Sequence, residues 1–494
     1  MLRKIRLTLA VVCFVLITLL FLDFTGTMHA WFGWLARVQF LPALLAMNAA
    51  VVVALVVLTL LFGRVYCSII CPLGVMQDIF GRMGKRAKKN RYSYSPAKQV
   101  LRGIMLAVAV VAFVLGLNSV VALLAPYSAY GRIAQNLLSP LWLWGNNLLA
   151  DLAERADSYA FYSVDVWVRS GVTFAIALLT LLIIGVLAWR NGRTYCNTIC
   201  PVGTVLGCLA KYSLLKPVID TTKCNSCGLC ARNCKAACID IKNHRIDYTR
   251  CVDCMDCIDK CHKGAISYAR GAKAPVADAG KKEKTDASRR QFLAVTAMAA
   301  ATSAVKAQKK KVDGGLAVIE DKKVPERVTP IVPPGALSLR NMASHCTACQ
   351  LCVSACPNDV LRPSTKLATL MQPELSYERG YCRPECTKCS EVCPAGAILK
   401  ITPEDKSATQ IGHAVWVKKN CIPLTDGVDC GNCARHCPTG AIQMVLSDAD
   451  NPDSPKIPVV NTARCIGCGA CENLCPARPF SAIYVEGYTV HNTY

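Results

Sequence analysis

The chain has 494 residues, of which 53% are hydrophobic and only 18% are charged, so its composition is too apolar for an ordinary soluble enzyme. Its 31 cysteines and its formal net charge of +23 both require an explanation. Its length allows roughly three domains, and its composition excludes disorder for most of the chain.

Four apolar stretches are each long enough to cross the hydrocarbon core of a bilayer, which takes about 20 helical residues. They are residues 5–22, 41–62, 101–125 and 172–189. The first stretch could also be a signal peptide, but no small-residue cleavage site clearly follows it, and a true span is favoured. The sequence therefore predicts an α-helical membrane domain with four spans in residues 1–215.

The charges of the loops predict the orientation of these spans, since cytoplasmic loops carry an excess of Lys and Arg. From Arg64 to Arg102 there are nine basic residues and one acid, whereas residues 126–171 contain three basic residues and four acids. The amino terminus and residues 216–270 are therefore expected in the cytoplasm. A basic loop can also bind nucleic acid, but beside spans the topological interpretation is favoured, and no nucleic-acid partner is expected.

An eleven-residue pattern, R-x-Y-C-x3-C-P-x-G, occurs at residues 64–74 and again at residues 193–203. Each copy directly follows an even-numbered span. Cysteines four residues apart share one helical face, so each copy presents two sulfurs to a common partner. They are Cys67 and Cys71 in the first copy and Cys196 and Cys200 in the second. Three interpretations stay open: small packing residues, a pair of redox thiols, or four ligands of one further cluster.

Another 24 cysteines form six runs of four. Four runs share the spacing C-x2-C-x2-C-x3-C: Cys224, Cys227, Cys230 and Cys234; Cys251, Cys254, Cys257 and Cys261; Cys346, Cys349, Cys352 and Cys356; and Cys465, Cys468, Cys471 and Cys475. Two runs are looser: Cys382, Cys386, Cys389 and Cys393; and Cys421, Cys430, Cys433 and Cys437. Three thiolates on a tight loop and a fourth on the following helix suit a cubane, whereas disulfides and zinc sites do not need this spacing. The runs predict iron ligands for six [4Fe–4S] clusters.

In ferredoxins with two clusters, the fourth cysteine of each run ligates the neighbouring cluster. Cys234 is therefore expected beside the second run and Cys261 beside the first. The same exchange is expected in the last four runs, but the spacing does not determine which runs pair. Three cysteines remain, Cys13, Cys208 and Cys238, and they are interpreted as structural.

Residues 269–290 have the composition of a solvated linker, which ends in Arg289 and Arg290 just before a mildly apolar run. A twin arginine in this position is typical of a signal for export in the folded state. Residues 271–307 are thus predicted to be a linker with a signal or anchor, although a plain linker stays open. Residues 216–270 form a cytoplasmic two-cluster domain, and residues 308–494 an exported four-cluster domain, both α+β and ferredoxin-like.

Haem is not expected in this protein. None of the seven histidines lies within a predicted span, so axial ligands for a transmembrane haem are missing, and no C-x2-C-H pattern is present. The redox chemistry visible in the sequence is that of iron and sulfur.

Four spans, two C-x3-C-P motifs and a two-run ferredoxin domain resemble NapH, and related arrangements occur in NosR-type and CcoG-type proteins. The twin-arginine segment and the four later runs, including the long gap between Cys421 and Cys430, resemble NapG and the MauM ferredoxins. The chain therefore resembles a fusion of NapH-type and NapG-type (MauN/MauM-like) proteins. It departs from the usual pattern at Lys235 and His262, where a proline is expected after the fourth cysteine.

The resemblance implies a multi-pass protein of the bacterial inner membrane that is a component of a quinol dehydrogenase. It would take electrons from the quinol pool, with menaquinol as the implied donor and quinone as a further bound cofactor, and pass them to a periplasmic reductase or cytochrome. Two alternatives stay open: a factor for the assembly or reactivation of a periplasmic metalloenzyme, and, more distantly, a redox sensor.

Overall fold

The computed structural model describes residues 2–86, 92–158, 160–270 and 320–493. The predicted linker and twin-arginine segment at 271–307 lie outside these ranges. Residues 2–214 are mainly helical and are called the helical domain below. Residues 215–270, the first module, and residues 320–493, the second module, contain short helices and two-stranded antiparallel sheets.

The helical domain contains two long apolar helices and several shorter ones. Its first helices are α1 (Leu2–Leu22), α2 (Thr27–Phe32), α3 (Trp34–Arg37), α4 (Phe40–Leu45), α5 (Ala49–Phe62), α6 (Val65–Ile69) and α7 (Pro72–Arg86). They are followed by α8 (Gln99–Val114), α9 (Asn118–Leu124), α10 (Pro126–Ile133), a π-helical segment (Ala134–Leu138), α11 (Ser139–Glu154), α12 (Gly171–Asn191), α13 (Thr194–Thr198) and α14 (Pro201–Ala210). In the described ranges, only α1 and α12 have both the length and the hydropathy of a membrane span, while α5, α8 and α14 are shorter apolar helices.

The second and third predicted spans are not continuous helices. The α4 helix ends at Met47, which has a φ of 51°, and the amides of Met47 and Asn48 bond back to Leu44 and Ala43. The α8 helix ends in the same way at Gly116, whose φ is 74°. Both ends are Schellman motifs, in which a left-handed residue closes the helix. Four uninterrupted spans were therefore an overestimate of the helix lengths.

The region predicted as a loop between spans three and four contains one long helix. The α10 helix, the π-helical segment and α11 follow each other without a break from Pro126 to Glu154. Residues 126–136 of this helix are all buried. A π-helical segment rotates the faces of the helix before and after it, and such segments are frequent at functional sites.

The two modules have similar local structure. The first module contains α15 (Leu229–Asn233), α16 (Asp256–Asp259), and strands β1 (Leu215–Ile219), β2 (Ile239–Asp240), β3 (Arg245–Ile246) and β4 (Ile266–Arg270). The helices of the second module are α17 (Leu339–His345), α18 (Leu351–Ser354), α19 (Lys388–Val392), α20 (Pro403–Ala408), α21 (Ile422–Thr425), α22 (Asn432–Arg435) and α23 (Ala470–Leu474). Its strands are β5 (Leu361–Pro363), β6 (Pro373–Leu375), β7 (Thr409–Trp416), β8 (Ile442–Leu446), β9 (Lys456–Val460) and β10 (Ile483–Thr493).

Strand pairing joins distant parts of each module. In the first module, β1 pairs with β4, so the strands that begin and end the module lie side by side. In the second module, β7 pairs with β10, while β5 pairs with β6 and β8 with β9.

The modules pack at opposite ends of α1. At its amino-terminal end, Arg3 forms ion pairs of 2.9 Å and 2.8 Å with Asp256 and Asp259 of the first module. At its other end, Phe21 packs on Gly131, and a Cβ on Gly131 would overlap the carbonyl oxygen of Cys349 in the second module. A helix of 21 residues is about 31 Å long, which is the thickness of a bilayer core.

Candidate iron–sulfur centres

The four regular cysteine runs share one backbone conformation. In each run, the residues immediately before and after the second cysteine have φ between 47° and 79°. They are Ser226 and Gly228, Asp253 and Met255, Ala348 and Gln350, and Gly467 and Gly469. Five of the eight are not glycine, and each costs about 1 kcal/mol or more in this left-handed region. Because the same strained conformation recurs in all four runs, packing within each loop does not explain it, and a group bound by the cysteines would.

In the first module, the fourth cysteine of the first run lies with the second run, as predicted. Burial raises the pKa of the Cys254 and Cys257 thiols, and the nearby Cys234 raises both further. Burial also raises the pKa of Cys230 to about 11, with Cys224 and Cys227 as its neighbours. The sulfurs therefore separate into two groups. The position of Cys261 in the first group stays a prediction.

In the second module, the structure pairs the runs whose partners the spacing left open. Burial and the proximity of Cys393 raise the pKa of Cys346 and Cys352, while Cys356 lies beside Cys382 and Cys389. The two earlier runs thus exchange their fourth cysteines. The two later runs do the same, since Cys475 neighbours Cys421 and Cys433, and Cys437 neighbours Cys465 and Cys468.

These four groups of sulfurs follow one another through the second module. The group of Cys346, Cys349, Cys352 and Cys393 lies nearest the helical domain, and the group of Cys382, Cys386, Cys389 and Cys356 comes next. The backbone amide of Cys382 donates to the carbonyl of Cys468 at 2.9 Å, which connects the second group to the third. The last group contains Cys430 and Cys433, which directly follow the exposed residues 425–429 in the chain.

Cys238, which was interpreted as structural, lies beside the predicted ligand Cys234. It is 2% exposed, and its sulfur is 3.5 Å from the sulfur of Cys234. The hydrogen bond from Cys238 lowers the pKa of Cys234 to about 7. The C-x3-C spacing of this pair was the signal in the sequence.

The four cysteines of the two C-x3-C-P motifs, called the inter-repeat thiols, come together although 129 positions separate the copies. Cys67 is 4% exposed, and Cys71, Cys196 and Cys200 are each 3% exposed. Burial raises the pKa of the last three thiols. Each of the four sulfurs also lies close enough to the other three for their charges to interact. The expectation that each copy offers two sulfurs to a common partner is consistent with this placement.

Two buried arginines cross between the copies of the repeat. Nη2 of Arg64 donates to the carbonyl of Cys196 at 3.2 Å and lies 3.7 Å from the sulfur of Cys67. In return, Arg193 donates to the carbonyl of Cys67. Both arginines are fully buried. The crossing gives the pair of copies approximate two-fold symmetry.

Asp78 of α7 joins three parts of the molecule. Its carboxylate forms ion pairs with Arg193 at 2.7 Å, Arg6 at 2.8 Å and Lys235 of the first module at 2.9 Å. Burial opposes ionisation of Asp78, but Arg193, Lys235 and Arg6 outweigh it and hold its pKa well below the usual range. The site of Lys235, where a proline was expected, is thus an ion-pairing position.

A cavity of about 490 Å³ lies between α1, α7 and the first module. Its apolar wall includes Leu7, Val11 and Phe14, and its polar end includes Asp78 and Gln77. Gln77 is 1% exposed, and its Nε2 donates to the sulfur of Cys196 at 3.1 Å. Its Oε1 is buried and has no hydrogen-bond partner in the described part of the chain.

The helical domain contacts the cysteine loop of the second module through the helix that the sequence did not predict. Asn136 of this helix donates to Oε1 of Gln350 at 2.8 Å, and Arg169, which lies after the helix, pairs with Asp359 at 2.9 Å. Burial lowers the pKa of Arg132 to about 10, while the nearby Tyr195 and Cys349 oppose this shift. Arg132 therefore lies between the second repeat copy and the first sulfur group of the second module.

The sulfur groups fit iron–sulfur clusters. None of the 31 cysteines forms a disulfide, and most of the predicted ligands are at least partly buried. No three His, Cys, Asp or Glu side chains among the described residues are arranged to hold a single metal ion. A cubane takes one thiolate at each of four irons, so its ligands surround a larger volume than those of one ion. Bound in these groups, such clusters would supply one-electron transfer.

Sequence reasoning missed several residues around these centres. Asp78, Gln77, Arg132 and the cavity depend on tertiary contacts and left no pattern in the sequence. The arginines and tyrosines of the repeated motif, by contrast, recur at matching positions in both copies. That repetition was the available signal for the crossing of Arg64 and Arg193.

Models of iron–sulfur protein families match four stretches of the chain. One described as a 4Fe-4S binding domain matches residues 44–91 and 172–219. Two described as 4Fe-4S dicluster domains match residues 428–478 and 247–360. The match at 428–478 agrees with the pairing of the two later runs. The match at 247–360 joins two runs that the structure assigns to different modules. For these runs, the positions of the sulfurs in the structure indicate better which cysteines form one group.

Several curated relatives are similar to about a third of the chain. The methylamine utilization ferredoxin-type protein MauM of Methylobacillus flagellatus is 31% identical over 165 residues, which are 33% of this chain and 70% of the relative. MauM of Methylophilus methylotrophus is 33% identical over 171 residues, or 33% and 72%. The ferredoxin-type protein NapG of Escherichia coli is 34% identical over 152 residues, or 29% and 64%. No solved structure matches the chain significantly.

Proposed function

The chain belongs to the family of ferredoxin-type proteins that includes MauM and NapG, and we propose that it carries electrons from quinol across a membrane to an acceptor on the opposite face. Its clusters and its electron-transfer role follow from the family. The quinol donor, the membrane topology and the periplasmic acceptor are the new elements of the proposal. In this proposal the chain is a fusion of NapH-like and NapG-like parts in a bacterial inner membrane.

The observation that carries the proposal is the placement of cluster modules at both ends of α1. Arg3 at one end contacts the first module, and Phe21 at the other lies beside the Cys349 loop of the second module. Since α1 matches the thickness of a bilayer core, the modules face opposite sides. The basic amino terminus favours a cytoplasmic first module and a periplasmic second module.

Six clusters are proposed, each held by three cysteines of one run and the fourth cysteine of its partner run. Those of the second module form a linear series that begins beside Arg132 and ends at Cys430 and Cys433, which directly follow residues 425–429 in the chain. The final cluster is nearest to solvent, so a periplasmic reductase or cytochrome would accept electrons there. The share of exposed residues in that loop supports this end as the exit.

The cavity beside α1 is the proposed quinol site. Its volume lies within the range of small-molecule pockets, and its apolar wall on α1 suits an isoprenoid tail that enters from lipid. A quinol hydroxyl that enters this end can donate to Oε1 of Gln77, which has no partner among the described residues, or to Oδ1 of Asp78, which accepts from Arg193. Both groups lie at the polar end of the cavity.

The stoichiometry of quinol oxidation suits a cavity that has more than one cluster nearby, although one cluster could also pass the two electrons in turn. Each quinol releases two electrons and two protons, whereas each cluster takes up a single electron. The first module lies at the cavity through Lys235 and Asp256, and Gln77 contacts Cys196. The protons leave through the polar mouth of the cavity, which Asp256 and Lys260 line.

Anaerobic titration of the protein in lipid nanodiscs with menadiol, a reduced menaquinone analogue, tests the proposal. We expect menadiol to bleach the visible absorbance of the oxidised clusters, and Gln77→Leu to slow this reaction at least tenfold. Gln99→Leu, at an exposed position of α8, is the control and should leave the rate unchanged. Clusters that dithionite bleaches but menadiol does not would refute a quinol donor.

A further inference from the structure

We propose that the inter-repeat thiols hold a seventh [4Fe–4S] cluster, shared between the two copies of the repeated motif. Its ligands would be Cys67 and Cys71 from one copy and Cys196 and Cys200 from the other. The presence of this cluster does not depend on the quinol donor. Only its role, as the relay between the two modules, rests on the function proposed above.

The composition of each copy shows why both are needed. A family model described as a 4Fe-4S binding domain matches the chain twice, at residues 44–91 and 172–219. The first stretch contains only Cys67 and Cys71, and the second contains Cys196, Cys200 and the exposed Cys208. A cubane normally takes four thiolates, so neither copy can supply them alone. The two copies together supply four thiolates, so each copy is one half of the proposed site.

The geometry brings the half-sites together symmetrically. A Cβ on Gly74 would overlap the carbonyl oxygen of Cys67 and lie 2.8 Å from Nη1 of Arg193. A Cβ on Gly203 would overlap the carbonyl oxygen of Cys196 and lie 2.9 Å from Nη2 of Arg64. The glycine of each motif therefore admits the arginine of the other copy. The close approach of this arginine explains why the repeated pattern ends in glycine in both copies.

The charges around the thiols call for an anion. Arg64 is fully buried, and its guanidinium contacts Asn197, Thr249 and backbone carbonyls but no carboxylate within the described residues. Its Nε has no hydrogen-bond partner. A buried guanidinium with no carboxylate in contact is costly. An oxidised cubane with four thiolates carries a net charge of about −2 and would add to the negative charge that Asp253 places near Arg64, whereas four neutral thiols would add none.

The position of the thiols suits a relay. On one side, the amide of Arg64 donates at 2.8 Å to Asp253, which lies between two predicted ligands of the first module. On the other side, Tyr195 of the second motif neighbours Arg132, which neighbours Cys349 of the second module. The thiols therefore lie between the modules, where the sequence offered no cofactor for electrons that cross the membrane.

The mass of the anaerobically purified holoprotein in native mass spectrometry tests the proposal, together with its iron and acid-labile sulfide content. We expect about 28 irons per chain, as seven cubanes require. A fully loaded protein with about 24 irons, in which the inter-repeat thiols are free or form disulfides, would overturn the seventh cluster.

Variants locate the additional iron. Replacement of all four inter-repeat thiols by serine should remove about four irons and leave the other clusters in place. Cys208→Ser, in the same helix as the second motif but exposed, should lose none. If the fourfold variant does not fold, the wild-type mass still decides. Seven clusters without reduction by menadiol would refute the quinol donor alone, whereas six clusters with reduction would refute the relay alone.

Discussion

The chain contains two kinds of cysteine site, and their difference is instructive. The sites in the modules lie on short loops, with three cysteines within seven residues in the regular runs and left-handed residues beside the second cysteine. The inter-repeat thiols lie within short helices, as Cys67 and Cys196 do, or directly before the next helix, as Cys71 and Cys200 do, and they come from two distant segments. No left-handed residue stands within either C-x3-C-P motif in the described structure.

The two kinds of site are therefore held in place by different interactions. The geometry of the loop sites is set by local backbone conformation, and the spacing of the cysteines in the sequence predicts it. The inter-repeat site depends on helix packing, on the crossing of Arg64 and Arg193, and on the ion pairs of Asp78. Substitutions that affect tertiary contacts should disturb the second kind of site and spare the first.

The largest effect is expected for Asp78→Asn. The change removes the one carboxylate among the described residues that pairs with both Arg193 and Arg6, and leaves these buried cations without an ion-pair partner there. Breaking a buried ion pair in this way costs about 3–5 kcal/mol. Thermal unfolding in detergent should show this loss, together with a loss of the inter-repeat iron.

The pH dependence of this effect has a definite sign. Because the pKa of folded Asp78 is depressed, its contribution is complete at pH 7 and declines only as the pH falls below about 4. Asp220→Asn, which affects an exposed ion pair with Lys223, is the control and should not change the unfolding temperature measurably. Equal effects of the two substitutions would contradict the structural role of Asp78.

A smaller effect is expected when the glycine of either motif becomes alanine. Gly74→Ala and Gly203→Ala should each destabilise the protein by about 1–3 kcal/mol, since the new methyl group overlaps the opposite arginine and a motif carbonyl. The two changes should be alike because the copies are related by symmetry. Gly103→Ala, where the new Cβ meets nothing within 4 Å, should be neutral or stabilising in the same unfolding assay.

Gly228→Ala tests the loop sites by the same method. Gly228 has a φ of 73°, and a Cβ there would meet only the side chain of Arg232, so the cost is backbone strain of about 1–2 kcal/mol. Cluster loss should be confined to the first module. Gly145→Ala, in open space on α11, is the matched control. A Gly228→Ala protein as stable as the control would show that the left-handed loops carry no strain.

The smallest effect is a difference in the rate of iron loss. Cys227 is exposed and Cys224 is half-buried, whereas the inter-repeat thiols are almost fully buried. A chelator under mild oxidation should therefore release iron from the Cys224 group first and from the inter-repeat site last. Iron release followed by absorbance should be multiphasic, and Cys227→Ser should remove its earliest phase. Simultaneous loss from all sites would contradict the difference in protection.

The sequence predicted the local features well. Apolar runs gave α1 and α12, and cysteine spacing gave the runs and the exchange of Cys234 in the first module. These features depend on neighbours within one helix or loop. The family was also accessible from the motifs, since the spacing of ligands on a loop is itself the recognition signal.

Features that depend on distant contacts were not predicted. Schellman motifs at Met47 and Gly116 end helices inside apolar stretches, and hydropathy does not detect them. The helix from Pro126 to Glu154 was taken for a loop because its buried face covers the Cys349 loop rather than a continuous apolar core. Cys238 was set aside because it has no place in a run of four. The cavity at Gln77 forms where α1, α7 and the first module meet, and the sequence does not show that they meet.

The most direct test of electron transfer across the membrane uses proteoliposomes with menaquinol in the bilayer and ferricyanide, which does not cross it, added outside. The orientation of each preparation is determined by protease access to residues 320–493. Ferricyanide should be reduced rapidly when that module faces outward, and reduction should stop when the inter-repeat thiols are replaced by serine. Reduction only when residues 215–270 face outward would contradict the account.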